Sequence, residues 1–284
     1  MKILLAGATG VVGRRLIPLL VQAGHEVAGT TRRTERTGMI RDLGAAPVVL
    51  DVLDAAAVRD VMAAVRPDAV VHQLTDLSDE DFEANSRLRI VGTRNLVDAA
   101  KATGVRTMVA QSIAWLYVPG DAPAVETDPL DAHLPPYAGI AALEKAVAEM
   151  PHGVVLRYGA LYGPGTWYAP DGAIAKRVRA GVLREAPSWT SFVHADDAAS
   201  AALAALDWPA GVVNVVDDDP ATTADWLPVY SAALGAPSPG SAGKHAAATG
   251  RPASNAKALS LGWKPRVASW RTGFARMDVP VRTD

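Results

Sequence analysis

Three glycines at fixed spacing, Gly7-x-x-Gly10-x-x-Gly13, are the residues of this chain best suited to holding a phosphate. Gly7 permits a sharp turn, Gly10 lets main chain approach a pyrophosphate, and Gly13 lets a helix pack close behind. A helix opening here offers unpaired N–H groups and the positive end of its dipole to an anion. Gly7, Thr9, Gly10, Val11, Val12 and Gly13 are therefore the expected pyrophosphate residues. Further on, where an acid would accept a ribose 2′-hydroxyl, stand Thr31, Arg32 and Arg33, with Arg36 a turn later. Guanidinium groups suit a 2′-phosphate. Arg32 and Arg33 thus favour NADP(H) over NAD(H), against the plainer reading of a solvated basic loop. Asp51, with Val52 beside it, is placed to meet the adenine, although Asp51 or Asp54 would equally cap a helix. The run Asp217-Asp218-Asp219 suggests a divalent cation, but such runs more often cap and solvate a turn. The six histidines have no close ligand spacing, and no metal site is expected.

The elements that must position these residues follow from the hydrophobic pattern. Lys2 to Ala6 is of strand length and runs into the glycines; Arg14 to Ala23 is helical; Glu26 to Thr30 is a second strand. Pro47 to Leu50 is expected as a third, buried strand. Ala55 to Val65 is a helix stopped by Arg66-Pro67. Ala69 to Leu74 is a fourth strand, with Leu74 and Thr75 at the carboxyl end where a cofactor lies. Phe82 to Thr103 reads as one long helix, Thr107 to Ala110 as a fifth strand, Tyr137 to Met150 as a helix and Gly153 to Arg157 as a sixth strand. This alternation predicts an α/β fold: a Rossmann-type, doubly wound parallel sheet, with ligands across the carboxyl ends of its strands. Residues 1–157 form the dinucleotide-binding core, to which later segments return, and 158–284 mainly a small C-terminal substrate lobe. Within that lobe Ser191 to His194 and Val212 to Val216 read as strands. Ala195 to Leu206, Trp226 to Leu234 and Asn255 to Leu261 read as helices, and Gly235 to Pro252 as a partly mobile stretch.

A length of 284 residues and 49% hydrophobic content support one large core with a modest appended lobe. A net charge of −2 supplies no field for nucleic acid or an anionic membrane. The absence of cysteine excludes disulfide and thiolate chemistry. No signal peptide or membrane span is expected, and a nicotinamide cofactor implies the cytoplasm. The oligomeric state is not legible.

In order along the chain stand GATGVVG at 7–13, Asp51-Val52, VGTRNLVDAAKATGV at 91–105, LRYGALYGPG at 156–165, FVHADDAA at 192–199 and LGWKP at 261–265. As a set these resemble the extended short-chain dehydrogenase/reductase family, also called the NAD-dependent epimerase/dehydratase family. The resemblance implies a serine or threonine after the fifth strand and a Tyr-x-x-x-Lys on the next helix. The tyrosine passes a proton to or from the substrate oxygen; the lysine lowers its pKa and holds the nicotinamide ribose. Here Ser112 stands near the serine position and Tyr137 at the tyrosine position, but Ala141 replaces the lysine. Lys145 is two turns along the helix, and Arg89 replaces an asparagine common before VGT. A phenol without its lysine, with a pKa of about 10, is a poor base at neutral pH.

Two readings follow. In one, hydride transfer persists without the usual proton relay, with Ser112 orienting the substrate oxygen and Leu74, Thr75 and Tyr158 along the ribose and nicotinamide. Trp115, Tyr117, Tyr158, Tyr162, Trp167 and Tyr168 fall in loops expected to face the nicotinamide, and would wall a flat polycyclic ligand; the competing expectation makes half of them core. Among family members without Tyr-x-x-x-Lys, the chain is similar to actinobacterial polyketide ketoreductases. That implies NADPH-dependent reduction of an angucyclinone-like aromatic ketone in antibiotic biosynthesis, with a substrate phenol assisting. In the other reading the site has decayed and the chain is a non-redox NAD(P)-binding regulator or scaffold. A nucleotide-sugar epimerase or dehydratase is a third, weaker reading, since sugar oxidation needs a base.

Overall fold

The computed structural model describes residues 1–76, 81–120, 122–241 and 249–276. Its elements begin β1 (Lys2–Ala6), α1 (Val11–Gln22), β2 (Glu26–Thr31), α2 (Thr37–Asp42), β3 (Ala46–Val49), α3 (Ala55–Val65) and β4 (Ala69–His72). Then come α4 (Phe82–Arg87), a π turn (Leu88–Gly92), α5 (Thr93–Ala102), β5 (Thr107–Ile113), α6 (Tyr137–Val147) and β6 (His152–Tyr158). The remainder comprises β7 (Ala160–Tyr162), α7 (Ala173–Arg179), β8 (Arg184–Glu185), β9 (Trp189–Thr190), β10 (Phe192–His194), α8 (Ala195–Ala204) and β11 (Gly211–Val215). It closes with β12 (Ala221–Thr222), α9 (Thr223–Ala233), β13 (Gly240–Ser241), α10 (Ala256–Ser260) and α11 (Trp270–Ala275).

The chain divides into two compact units, the first comprising 1–113, 131–157 and 199–213. Its sheet has the order β11-β6-β5-β4-β1-β2-β3, with β1–β2, β1–β4, β2–β3 and β4–β5 all parallel. This is the Rossmann order, and the chain reverses direction across the sheet between β1 and β4, where a crevice opens at the carboxyl ends. Strand β1, buried on both faces, reads as a continuous apolar run for that reason. Helix α1 turns Leu16, Ile17 and Leu20 to the sheet at helical spacing. Helix α3 starts at Asp54, whose carboxylate accepts from the N–H groups of Ala56 and Ala57. It ends at Arg66 in the left-handed region (φ 49°), ahead of Pro67.

Two expectations are corrected here. Strand β3 is the sheet's edge, not a buried strand: Pro47 and Val48 are half-buried, Ala46 and Val49 are exposed, and Val49 is 52% exposed. A short apolar run cannot by itself tell an edge from an interior. The helix expected over 82–103 is helical throughout but passes through the π turn at Leu88–Gly92. Gly92 is required in that turn, because a Cβ there would stand 2.9 Å from the Val52 side chain.

The second unit comprises 114–130, 158–198 and 214–284, so part of the segment before residue 158 belongs with the C-terminal lobe. Its core is aromatic: Tyr162, Phe192, Trp226, Tyr230, Trp270 and Phe274 pack together, mostly edge to face. Two acids anchor this unit's C-terminal segment. Asp197 accepts from the N–H groups of Arg266 and Val267, and Asp217 from that of Trp270. Residues 242–248, inside the stretch expected to be mobile, lie outside the described residues.

Candidate nucleotide and active site

Between β1 and α1 the glycines form one tight turn. Gly7 has φ +92°, and a Cβ on it would stand 2.7 Å from the Gln73 carbonyl oxygen at the end of β4. A Cβ on Gly13 would drive into the Gly7 carbonyl. The Gly10 N–H donates to the Gly7 carbonyl (3.0 Å), and Gly10 then opens α1 with no side-chain cap and no acid in the first turn. The α1 N-terminus therefore lacks the side-chain acceptor that usually satisfies its first N–H groups. Beside it, Gln73 is 4% exposed and neither atom of its carboxamide has a partner. A turn closed to side chains, an uncapped helix and an orphaned amide fit a dinucleotide pyrophosphate. Thr9 is half-buried and Val12 buried, leaving main chain as the surface that Gly10 exposes.

Toward β2, Arg32 and Arg33 are both exposed, and Arg32 pairs with Asp76 at 3.1 Å. Sequence reasoning missed Arg14. It is half-buried, its Nε is shielded without a partner, and its pKa is pushed down by burial and then by Arg15 and Arg36. Three guanidinium groups gathered in this way suit a polyanion. Asp51, expected to meet the adenine, accepts from the Leu53 N–H (3.0 Å) through its carboxylate, while the helix cap is Asp54. Val52 is buried, and its carbonyl accepts from Asn95 (2.8 Å).

At the carboxyl ends of β4, β5 and β6 lies a buried polar network. Ser112 is fully buried and its hydroxyl donates to Glu144 Oε1 of α6 at 2.7 Å. Arg157 grips the same carboxylate with two bonds, Nε to Oε1 at 2.9 Å and Nη2 to Oε2 at 2.6 Å. His72, fully buried, accepts the Leu74 N–H at Nδ1 (3.2 Å), so its proton is on Nε2, donating to Thr93 Oγ1 (2.9 Å). Burial, then the charge of Arg89, pushes its pKa down to about 4. Arg89 is itself 4% exposed; burial brings it down to about 10, Glu144 opposing, so it stays charged at neutral pH. On α6, Tyr137 and Ala141 are half-buried while Lys145 is exposed. Glu144 and Arg157 were not foreseen. The signal was an arginine in the apolar run Val154-Val155-Leu156, since a buried charge demands a partner.

The expected aromatic wall is largely corrected. Tyr117 and Tyr162 are core, Tyr168 is half-buried against Phe192, Trp226 and Tyr230, Trp167 is half-buried, and Trp115 alone of the six is exposed (44%). Tyr158 is buried, its hydroxyl donating to the Ala198 carbonyl (3.1 Å). Asp217 accepts from two backbone N–H groups, and Asp219 pairs with Ser269 and Arg271. No group of three metal-ligating side chains occurs among the described residues, nor any helix long and apolar enough to cross a membrane.

Sheet order, glycine turn and crevice define a dinucleotide-binding α/β protein. The chain belongs to the NAD dependent epimerase/dehydratase family, whose model matches residues 3–216. It is 43% identical to a 3-diazoavenalumate denitrifying reductase from Streptomyces sp, over 97% of this chain and 100% of that protein. It is 28% identical to a dTDP-4-dehydrorhamnose reductase from Streptomyces griseus, over 75% of this chain and 70% of that protein. Among solved structures it is similar to a UDP-glucose 4-epimerase of Thermus thermophilus in complex with NAD. That likeness has a TM-score of 0.78 and 27% identity, covering 97% of each chain. The chain is accordingly an NAD(P)-dependent enzyme of the reductase kind.

Proposed function

We propose that this enzyme delivers hydride from NADPH to an aromatic acceptor that needs no lysine-tuned phenol to receive it. The observation that carries the reading is the proton chemistry of the site. Ala141 stands where the lysine would, and the Ser112 hydroxyl proton is committed to Glu144. The cofactor, when bound, supplies the hydride. Residues of the glycine turn, with Arg32 and Arg33, are proposed to hold its phosphates, and Asp51, Val52, Leu74, Thr75 and Tyr158 to flank its rings. NAD(H) is the alternative cofactor.

The acceptor we favour is a diazo group on a hydroxylated arene, the chemistry in the name of the relative at 43% identity. Hydride adds to the ring carbon as dinitrogen leaves with the C–N bonding pair, so no alkoxide forms and no acid is required. That balance matches a site whose tyrosine, Tyr137, lacks the lysine that would tune it as a proton donor. The second acceptor is a ketone of an aromatic, angucyclinone-like polyketide in antibiotic biosynthesis, whose neighbouring phenol protonates the nascent alkoxide. It draws on the same missing lysine and on the exposed Trp115 ring.

The test is NADPH oxidation, followed by absorbance, with an ortho-hydroxy diazoarene and with a peri-hydroxy polycyclic ketone. One of the two should be consumed, and Tyr137→Phe should keep kcat within about threefold, far short of the roughly 100-fold or greater loss typical of a removed general acid. Turnover of UDP-sugars alone would instead return the chain to epimerase chemistry.

A further inference from the structure

Arg89 is a buried cation with neither hydrogen bond nor ion pair among the described residues. It is 4% exposed and sits within the π turn of the α4–α5 helix. Helix α6 crosses it closely: a Cβ at Gly139 would stand 3.5 Å from the Arg89 Cβ and 3.0 Å from the Ser86 hydroxyl. Two titratable groups lie within electrostatic reach of the guanidinium, Glu144 from α6 and His72 from the end of β4. Neither neutralises it. The Glu144 carboxylate is already matched by the two bonds of Arg157, and His72 is held neutral by burial and then by the charge of Arg89 itself. The buried cluster of Arg89, Arg157 and Glu144 therefore carries one positive charge in excess, at a high desolvation cost unless a ligand supplies acceptors.

Where that charge lies narrows the ligand. His72 and Ser112 end β4 and β5, at the carboxyl edge along which the nicotinamide half of a dinucleotide runs. On α6 the side chain at 141 is only a methyl group and brings no charge of its own to this cluster. A π turn adds a residue to a helical turn and re-aims the side chains within it, often at functional sites.

We propose that Arg89 fixes the nicotinamide-side ribose of the cofactor. Its guanidinium donates to the ribose hydroxyl oxygens from the α4–α5 side, supplying the charge that a lysine at 141 would supply from α6. Arg89 is thus a positioning residue. The inference rests on nucleotide binding by the proposed site and is independent of which acceptor takes the hydride.

Calorimetry with two probes tests it: NADP+, and adenosine 2′,5′-bisphosphate, which carries the 2′-phosphate but no nicotinamide ribose. Arg89→Met should weaken NADP+ by about 10- to 100-fold, the loss expected for charge-assisted bonds, and leave the bisphosphate within about twofold. Adding Ala141→Lys to Arg89→Met should recover most of the NADP+ affinity. If Arg89→Met does not fold, Arg89→Lys, which keeps the charge on a shorter reach, should show the same ratio in smaller measure. Equal weakening of both probes, or of neither, overturns the assignment. Tight NADP+ binding that depends on Arg89, without NADPH oxidation by any acceptor, would uphold this inference while removing the proposed reaction.

Discussion

The Glu144 carboxylate shows how three side chains remote in sequence become one object. Ser112, Arg157 and Glu144 come from β5, β6 and α6, and the side chains of Arg157 and Glu144 are only 6% and 12% exposed. A bidentate pair at this burial contributes chiefly through the penalty for removing one partner. Glu144→Gln leaves the Arg157 guanidinium facing a neutral amide and should destabilise the protein by about 3 kcal/mol, read as a lowered urea midpoint. Ser112→Ala removes a single hydrogen bond to a charged group and should cost about 1.5 to 3 kcal/mol. Were Ser112→Ala instead to leave stability unchanged and abolish turnover, its hydroxyl would belong to the substrate rather than to Glu144. Sequence patterns reveal lone charges in apolar strands, as with Arg157, but not which distant acid answers them. That pairing depends on how α6 lies across the strands, which no local period encodes.

At the scale of elements, legibility followed burial on both faces. The β1 strand, the glycine turn and α1 could be read from residue types because each glycine meets a steric demand: Gly7 against Gln73 and Gly13 against Gly7. Gly13→Ala should therefore weaken NADP+ binding by at least about tenfold, since α1 must move off the turn whose N–H groups are proposed to hold the pyrophosphate. Calorimetry with the nucleotide checks it, and a small change would show that α1 tolerates the shift. The β3 strand was misread because its exposure is set by its place at the sheet edge, a matter of topology rather than pattern. The π turn at Leu88–Gly92 was invisible because one extra residue in a turn leaves the apolar spacing on either side almost unaltered. The tyrosines were ambiguous for a third reason. An aromatic in a glycine- and proline-rich segment serves a core or a ligand equally well until its neighbours are known, and Phe192, Trp226 and Phe274 place Tyr162 in the core and Tyr168, half-buried, against it.

For the whole molecule, two buried titratable groups set opposing slopes of stability against pH. His72 titrates near 6.5 unfolded and at about 4 folded. Between those values the unfolded chain carries the extra proton, so stability rises with pH up to about 6.5 and this contribution is constant above it. Asp217 is 2% exposed, and burial raises its carboxyl from 3.8 to about 8, against the pull of its backbone N–H donors and with the help of neighbouring Asp219 and Asp218. Here the folded chain carries the extra proton between 3.8 and about 8, so stability falls as pH rises through that window. Between about pH 4 and 6.5 the two slopes, each about 1.4 kcal/mol per pH unit, oppose one another. Between about pH 6.5 and 8 only Asp217 remains, and stability should decline by about 2 kcal/mol. Urea midpoints at the two pH values measure that decline. Asp217→Asn, which keeps a carbonyl acceptor for the Trp270 N–H but cannot ionise, should flatten it; a decline that persists unchanged in Asp217→Asn would place the responsible proton on another group.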